Sequence, residues 1–181
     1  RTILITGCSS GIGAALAAEL HRRGNRVYAT ARQAATLAPL AALGLDTAAL
    51  DVNDDASIDA LMTRIQTEIG HLDILINNAG FSQVGAVVDL TREDLRKQYE
   101  TNVISPVAMT RAALPLLRAA HAVHGKAMVA NVGSIVGLFT TPFAGAYSSS
   151  KAALHREVSA AAFLCAFKMQ NTVFRNEYRL A

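Results

Sequence analysis

Short runs of consecutive apolar, β-branched residues alternate along the chain with longer stretches of helix-forming residues. Thr2-Ile3-Leu4-Ile5-Thr6 is the first such run and predicts a strand buried on both faces. It enters Gly7-Cys8-Ser9-Ser10-Gly11-Ile12-Gly13, after which residues 14–23 predict a helix closed by Gly24. Residues 26–30 predict a second strand, and 34–43 a second helix ended by Gly44. A third strand is predicted over 46–52. Asp54 or Asp55 then caps a helix that runs to Ile69 and stops before Gly70. Residues 73–77 predict a fourth strand. A long helical region begins at Thr91, which with Asp94 three residues on resembles a capping box with Asp in the usual place of Glu. Asn102, Pro106 and Pro115 are expected to bend or interrupt that region. Residues 127–132 predict a fifth strand, and helical sequence resumes at Gly145. Alternation this regular implies an α/β fold, a doubly wound parallel sheet with helices on both faces. No internal repeat or low-complexity linker divides the chain, so one domain over 1–181 is expected.

Composition narrows the function classes. With 51% apolar and 17% charged residues among 181, the chain can bury a core and is not a disordered segment. No apolar run approaches the roughly 18 residues of a membrane-spanning helix. A formal charge of +3, and 6% aromatics without Trp, argue against a nucleic-acid partner. Most of that small basic excess falls in residues 156–181. Cys8 and Cys165 lie in a Gly/Ser turn and an Ala-rich stretch, which is no disulfide framework. No leader-type segment stands ahead of the first strand, so a cytoplasmic location is the expectation.

The glycine turn carries the first chemistry. Glycines allow a tight turn and let backbone N–H groups approach a pyrophosphate, while the helix that follows aims its positive end at the anion. No Lys-Ser/Thr pair follows the last glycine, which disfavours a phosphate-hydrolysing loop. The bland alternative is a plain turn; its position right after an N-terminal strand favours a dinucleotide. The second strand ends Val27-Tyr28-Ala29-Thr30-Ala31-Arg32, with no carboxylate for ribose hydroxyls. An arginine there suits the 2′-phosphate of NADP, unless it is simply a solvated surface residue. Tyr147 and Lys151 are four apart on a predicted helix and share one face. An ammonium beside a phenol favours the phenolate, and such a pair can exchange a proton. Alone the pair is a weak signal. Ser134 lies just past the fifth strand, at the strand end where sites form in this architecture.

Other candidates read blandly. His21, His71, His121 and His124 show no metal-ligand spacing with acids or cysteines and are taken as surface or helix-end residues, so no metal is expected. His155, one helical turn past Lys151, reads as packing, and Cys8 as a small loop residue that is no nucleophile. Phe81, Val84, Leu138, Phe139 and Phe143 fall in the loops after strands four and five. They are either loop packing or the wall of a pocket for an apolar carbonyl compound.

Taken together, Thr6-Gly7-x3-Gly11-Ile12-Gly13, Asn77-Asn78-Ala79-Gly80, Asn102, Ser134 and Tyr147-x3-Lys151 resemble the pattern of short-chain dehydrogenases/reductases over residues 1 to about 155. The resemblance implies a Rossmann-like fold and an oxidoreductase that moves a hydride between NADP(H), bound as NADPH for reduction, and a small carbonyl or secondary alcohol. It implies that Tyr147 is the general acid/base and that Lys151 lowers its pKa and bonds the nicotinamide ribose. Ser134 would polarise the substrate carbonyl, and Asn102 would distort its helix and hold a water linked to Lys151. Gly7, Ser9, Ser10, Gly11, Ile12 and Gly13 would surround the pyrophosphate, with Arg32 at the 2′-phosphate. Asp51 and Val52 would meet the adenine, and Asn78, Ala79 and Gly80 would line the cleft, with Asn77 nearer a structural role. A homodimer through the long helical region and the Tyr-Lys helix is the partner the family suggests.

The chain also departs from that pattern. Members of the family are longer, and after the Tyr-Lys helix they add a sixth strand, a Pro-Gly turn and a Thr that meet the nicotinamide, a covering loop and a seventh strand. Here the last proline is Pro142 and the last glycine Gly145. The family-like stretch is therefore expected to stop near His155, with 156–181 an atypical tail, truncated or altered. A helix to about Met169 and at most a very short strand over residues 171–174 are expected there. The sheet would lack the family's last strands, and the fifth strand would be an exposed edge. The alternative function is a truncated NADP-binding module with little or no turnover.

Overall fold

The structure, a computed structural model, describes residues 1–162 and 168–171. Six strands, β1 (Thr2–Ile5), β2 (Arg26–Ala31), β3 (Asp46–Ala49), β4 (Ile74–Asn77), β5 (Met128–Asn131) and β6 (Lys168–Asn171), form one sheet. Its order is β3-β2-β1-β4-β5-β6 and every pairing is parallel. The connecting helices are α1 (Gly11–Arg22), α2 (Ala38–Ala42), α3 (Asp55–Glu68), α4 (Arg92–Tyr99), α5 (Ser105–His124) and α6 (Gly145–Ala162).

Both faces of the central strands β1, β2, β4 and β5 are buried, and strand alternation divides the core in two. Leu4, Tyr28, Leu75 and Val129 pack with Ile58, Leu61 and Ile65 of α3 and Met109, Leu116 and Leu117 of α5. The neighbouring positions Ile3, Ile5, Val27, Ala29, Ile76 and Ala130 point the other way, onto Ala17 of α1 and Leu37 and Leu40. Continuous apolar strands are the consequence of covering both faces.

Several local predictions hold in detail. Asp54 is the cap of α3, its carboxylate accepting the Ala56 N–H at 3.2 Å. The capping box at α4 is present: Thr91 Oγ1 accepts the Asp94 N–H at 3.1 Å, and Asp94 Oδ2 accepts the Thr91 N–H at 3.0 Å. Others shift. Helix α1 starts at Gly11, three residues ahead of its helix-forming run, because first-turn amides need no intrahelical acceptor and tolerate glycine. Strand β3 stops at Ala49, although the Leu50 N–H still reaches the Ala31 carbonyl at 2.9 Å. The prolines do not break the long helical region. Pro106 sits in the first turn of α5, where its missing N–H costs nothing, and α5 runs past Pro115 to His124. The interruption lies at Asn102, where Glu100–Ile104 winds as one π-helical turn.

The expected exposed edge at the fifth strand is not found. Residues 128–131 of β5 pair in register with 168–171 of β6, and α6 ends at Ala162 rather than near Met169. An uncovered β5 would leave a row of backbone donors and acceptors without partners, and pairing satisfies them even with the unremarkable strand sequence Lys-Met-Gln-Asn. Of the short strand expected over 171–174, only Asn171 falls in β6; 172–174 lie outside the described residues. No helix among the described residues is long and apolar enough to cross a membrane.

Candidate active site

Strand order reverses between β1 and β4, so the chains leaving their carboxyl ends diverge and open a crevice. The turn after β1 lines one wall. Gly7 has φ +72, and a Cβ there would lie 2.8 Å from the Ala79 Cα. A Cβ on Gly13 would lie 2.3 Å from the Gly7 carbonyl oxygen and 2.5 Å from Asn78 Nδ2, so α1 seats directly on the turn only with glycine. The opposite wall is stitched to it: Thr6 Oγ1 accepts the N–H groups of Asn78 (3.0 Å) and Ala79 (2.9 Å). Asn78 Nδ2 in turn donates to the Thr6 and Gly7 carbonyls at 2.8 and 3.0 Å. Ser10 precedes α1 without a side-chain capping bond, and Ser9, Ser10, Gly11 and Ile12 are exposed. The first-turn amides of α1 thus stand open to an anion, which fits the pyrophosphate of a dinucleotide. Arg32 follows β2 directly, is exposed, and forms no ion pair with a described residue. Asp51 Oδ1 accepts the Asn53 N–H at 3.0 Å, and Val52 beside it is buried. Cys8 is buried under the turn, and burial lifts its thiol to about 11, which suits packing and not attack.

The second group lies above β4 and β5. The π turn carries Asn102 inward, where its Nδ2 donates to the Phe81 carbonyl (3.0 Å) and to Ser150 Oγ (3.1 Å). Its Oδ1 accepts the Phe81 N–H at 3.1 Å. Ser150 Oγ donates to the Tyr147 carbonyl at 2.7 Å, so the loop after β4, the π turn and α6 are bonded into one unit. Lys151 is only 5% exposed; its Nζ donates to the Val132 carbonyl at 2.8 Å. Burial lowers its ammonium to about 8, and the Nζ lies 5.9 Å from the centroid of the Tyr147 ring. A Cβ on Gly80 would stand 3.1 Å from Asn102 Oδ1 and 3.7 Å from Lys151 Nζ, which places Gly80 against both side chains. Ser134 caps the short 3-10 turn Ile135–Gly137, its Oγ accepting the Val136 N–H at 3.4 Å. That turn rests on α6: a Cβ on Gly137 would lie 2.9 Å from the Lys151 carbonyl carbon.

The family model described as "short chain dehydrogenase" matches residues 1–168. The chain belongs to the short chain dehydrogenase family. It is 38% identical over 156 residues to an "NADPH-dependent 1-acyldihydroxyacetone phosphate reductase" of Schizosaccharomyces pombe, covering 85% of this chain and 51% of that protein. A short-chain dehydrogenase from Streptomyces avermitilis superposes with a TM-score of 0.88 at 34% identity, over 98% of this chain and 67% of that one. A metagenomic short-chain oxidoreductase solved in complex with NADP gives 0.85 at 27%, over 94% and 80%. The chain spans about half the length of the curated relatives it matches. The short chain dehydrogenase match also reaches past His155, where the sequence alone marks the family-like stretch as ending.

Relative to the residues the sequence singles out, the fold gathers Asn102, Lys151 and Gly80 closely, with Tyr147 one turn before Lys151 on α6. Asn77 is buried and donates to Asn131 Oδ1 at 2.9 Å, a structural role. Asn78 spends its amide on the glycine turn. Two residues are missed. Ser150 links Asn102 to α6, and Gln98, fully buried, donates to the Phe81 carbonyl (2.8 Å) while its Oε1 accepts the Gln83 N–H (2.7 Å). Gln98 and Asn102 are four apart on one helical face, a spacing that signals a shared polar partner. The apolar loop residues are not packed inward: Phe81, Val84, Leu138, Phe139 and Phe143 are 40 to 66% exposed. The two loops that carry them are joined by the Gly85 N–H donating to the Phe143 carbonyl at 2.9 Å.

Proposed function

We propose that the protein is an NADPH-dependent oxidoreductase that interconverts a carbonyl and a secondary alcohol. The observation that carries this reading is the buried Lys151, held by the Val132 carbonyl beside Tyr147 and next to Gly80, whose neighbour Ala79 packs on the glycine turn. Bound NADPH supplies the hydride. In this reading the amides after Gly7, with Ser9, Ser10, Gly11, Ile12 and Gly13, hold the pyrophosphate, and Arg32 pairs with the 2′-phosphate. Asp51 and Val52 flank the adenine, and Asn78, Ala79 and Gly80 form the cleft wall. Ser134 donates a hydrogen bond to the substrate carbonyl oxygen. Tyr147 gives its proton to that oxygen as charge develops on it, and the Lys151 ammonium stabilises the phenolate left behind. Asn102, locked by Phe81 and Ser150, positions a water through which Lys151 and Tyr147 recover a proton.

The exposed Phe81, Val84, Leu138, Phe139 and Phe143 on the joined loops support an apolar substrate. A relative named for an acylated ketone phosphate supports the same class. Leu95 of α4, Ile104 of the π turn and Val107 of α5 are exposed, and they support pairing of two copies there. The test is NADPH oxidation against a panel of ketones and aldehydes of increasing apolar length. The reading predicts consumption of NADPH that favours the longer substrates. Normal NADPH binding with no oxidation across the panel would contradict it.

A further inference from the structure

At the other end of the sheet, at the foot of β1 and β4, three side chains from separate places in the chain meet. His71 and Asp73 lie in the turn between α3 and β4, which Gly70 starts with φ +79. His124 is the last residue of α5, directly before Gly125. The Asp73 side chain is 4% exposed; its Oδ2 accepts the Thr2 N–H at 2.7 Å, and its Oδ1 stands 2.7 Å from His124 Nδ1. His71 Nε2 lies 3.9 Å from Asp73 Oδ2, and the two imidazoles meet edge to face with centroids 5.1 Å apart. One ligand atom from each of the three lies within 4.8 Å of the other two.

We propose that His71, Asp73 and His124 form a binding site for one divalent cation of the zinc class, remote from the crevice. Two imidazoles and one carboxylate without a thiolate suit Zn²⁺ and its borderline neighbours, and not Mg²⁺ or Ca²⁺, which take oxygen ligands. Zinc bonds of about 2.0–2.1 Å in a tetrahedron put donor atoms roughly 3.3 Å apart. His124 Nδ1 and Asp73 Oδ1 stand 2.7 Å apart and His71 Nε2 and Asp73 Oδ2 3.9 Å apart, on either side of that value. The adjustment falls on the groups that are able to make it: the imidazoles are 27% and 41% exposed, while Asp73 is fixed by the β1 backbone. The cation takes the place of the proton between Asp73 Oδ1 and His124 Nδ1. A carboxylate with little access to water gains a compensating charge. The carboxyl end of α5 is the negative end of the helix dipole and favours a cation at this position. The fourth position faces solvent and is left for water. Because the ligands come from the turn before β4 and the end of α5, a bound ion cross-links two parts of the core.

The experiment is a titration of the chelator-treated full chain with ZnCl₂ by calorimetry, with thermal unfolding run in parallel. One equivalent bound in the micromolar range, with a raised Tm that a chelator reverses, is the result expected. His71→Ala and His124→Gln should each weaken zinc roughly tenfold or more, and His71→Ala should leave the metal-free Tm unchanged. His21→Ala, on α1, should bind zinc as the parent does. The proposal is overturned if zinc produces no binding heat and no Tm shift, or if both His71→Ala and His124→Gln bind it as the parent does. In either case Asp73 and His124 are a structural pair only.

Discussion

Replacing Lys151 with Met isolates the cost of burying a charge beside the site. In the folded protein burial depresses the ammonium from 10.5 to about 8, and the Val132 carbonyl is its bonded partner. That separation is worth roughly 3 kcal/mol at 25 °C. Below pH 8 both folded and unfolded chains carry the proton, and the full cost is present. Between the folded value of about 8 and the unfolded 10.5, the unfolded chain holds a proton that the folded protein has released, so stability rises with pH across that window. The Met variant keeps the chain length and loses the titration. Urea unfolding followed by far-UV circular dichroism at intervals from pH 7 to 10.5 gives both curves. The Cys8 thiol, raised from 9.0 to about 11, works in the opposite direction, but it is present in both proteins and cancels in the difference. The stability of the parent relative to Lys151→Met should climb by about 3 kcal/mol between pH 8 and 10.5 and be flat below. A difference that stays flat throughout means that water reaches the ammonium, and the argument from burial fails.

Three further outcomes follow from the geometry. Arg32→Ala should weaken NADPH by about ten- to a hundredfold while leaving NADH within about twofold, measured by fluorescence titration; equal losses would refute the 2′-phosphate contact. Gly13→Ala drives a Cβ to 2.3 Å from the Gly7 carbonyl oxygen, and should lose roughly 1–3 kcal/mol in urea unfolding together with NADPH binding. Thr91→Ala removes one half of the capping box on α4 and should cost about 1 kcal/mol, again by urea unfolding, with NADPH binding unchanged.

What was legible in the chain was local. The strand-helix rhythm, the glycine turn, the Thr91–Asp94 box and the shared face of Tyr147 and Lys151 all depend on spacings of a few residues, which backbone geometry turns into position. Long-range consequences were not. Asn102 invites a helix distortion, but its partners, the Phe81 backbone and Ser150, are supplied by packing of α6 against the π turn. The closeness of Gly13 in α1 to the Gly7 carbonyl and Asn78 is set by the packing of the turn, which propensity does not encode. Strand β6 depends on the open edge of β5 more than on its own residues. His71 and His124 show no ligand spacing because 51 residues separate Asp73 from His124, and only the parallel order of β1, β4 and β5 brings them to one end.

The central claim, that Tyr147 moves the proton while the crevice holds NADPH, is tested most directly by Tyr147→Phe. The variant keeps the ring against Lys151 and removes one oxygen. Binding of NADPH and steady-state oxidation should be measured on the same preparations, with a ketone that the parent reduces. The account predicts unchanged NADPH affinity and a loss of kcat of about a hundredfold or more. Turnover by Tyr147→Phe at the parent's rate would contradict it.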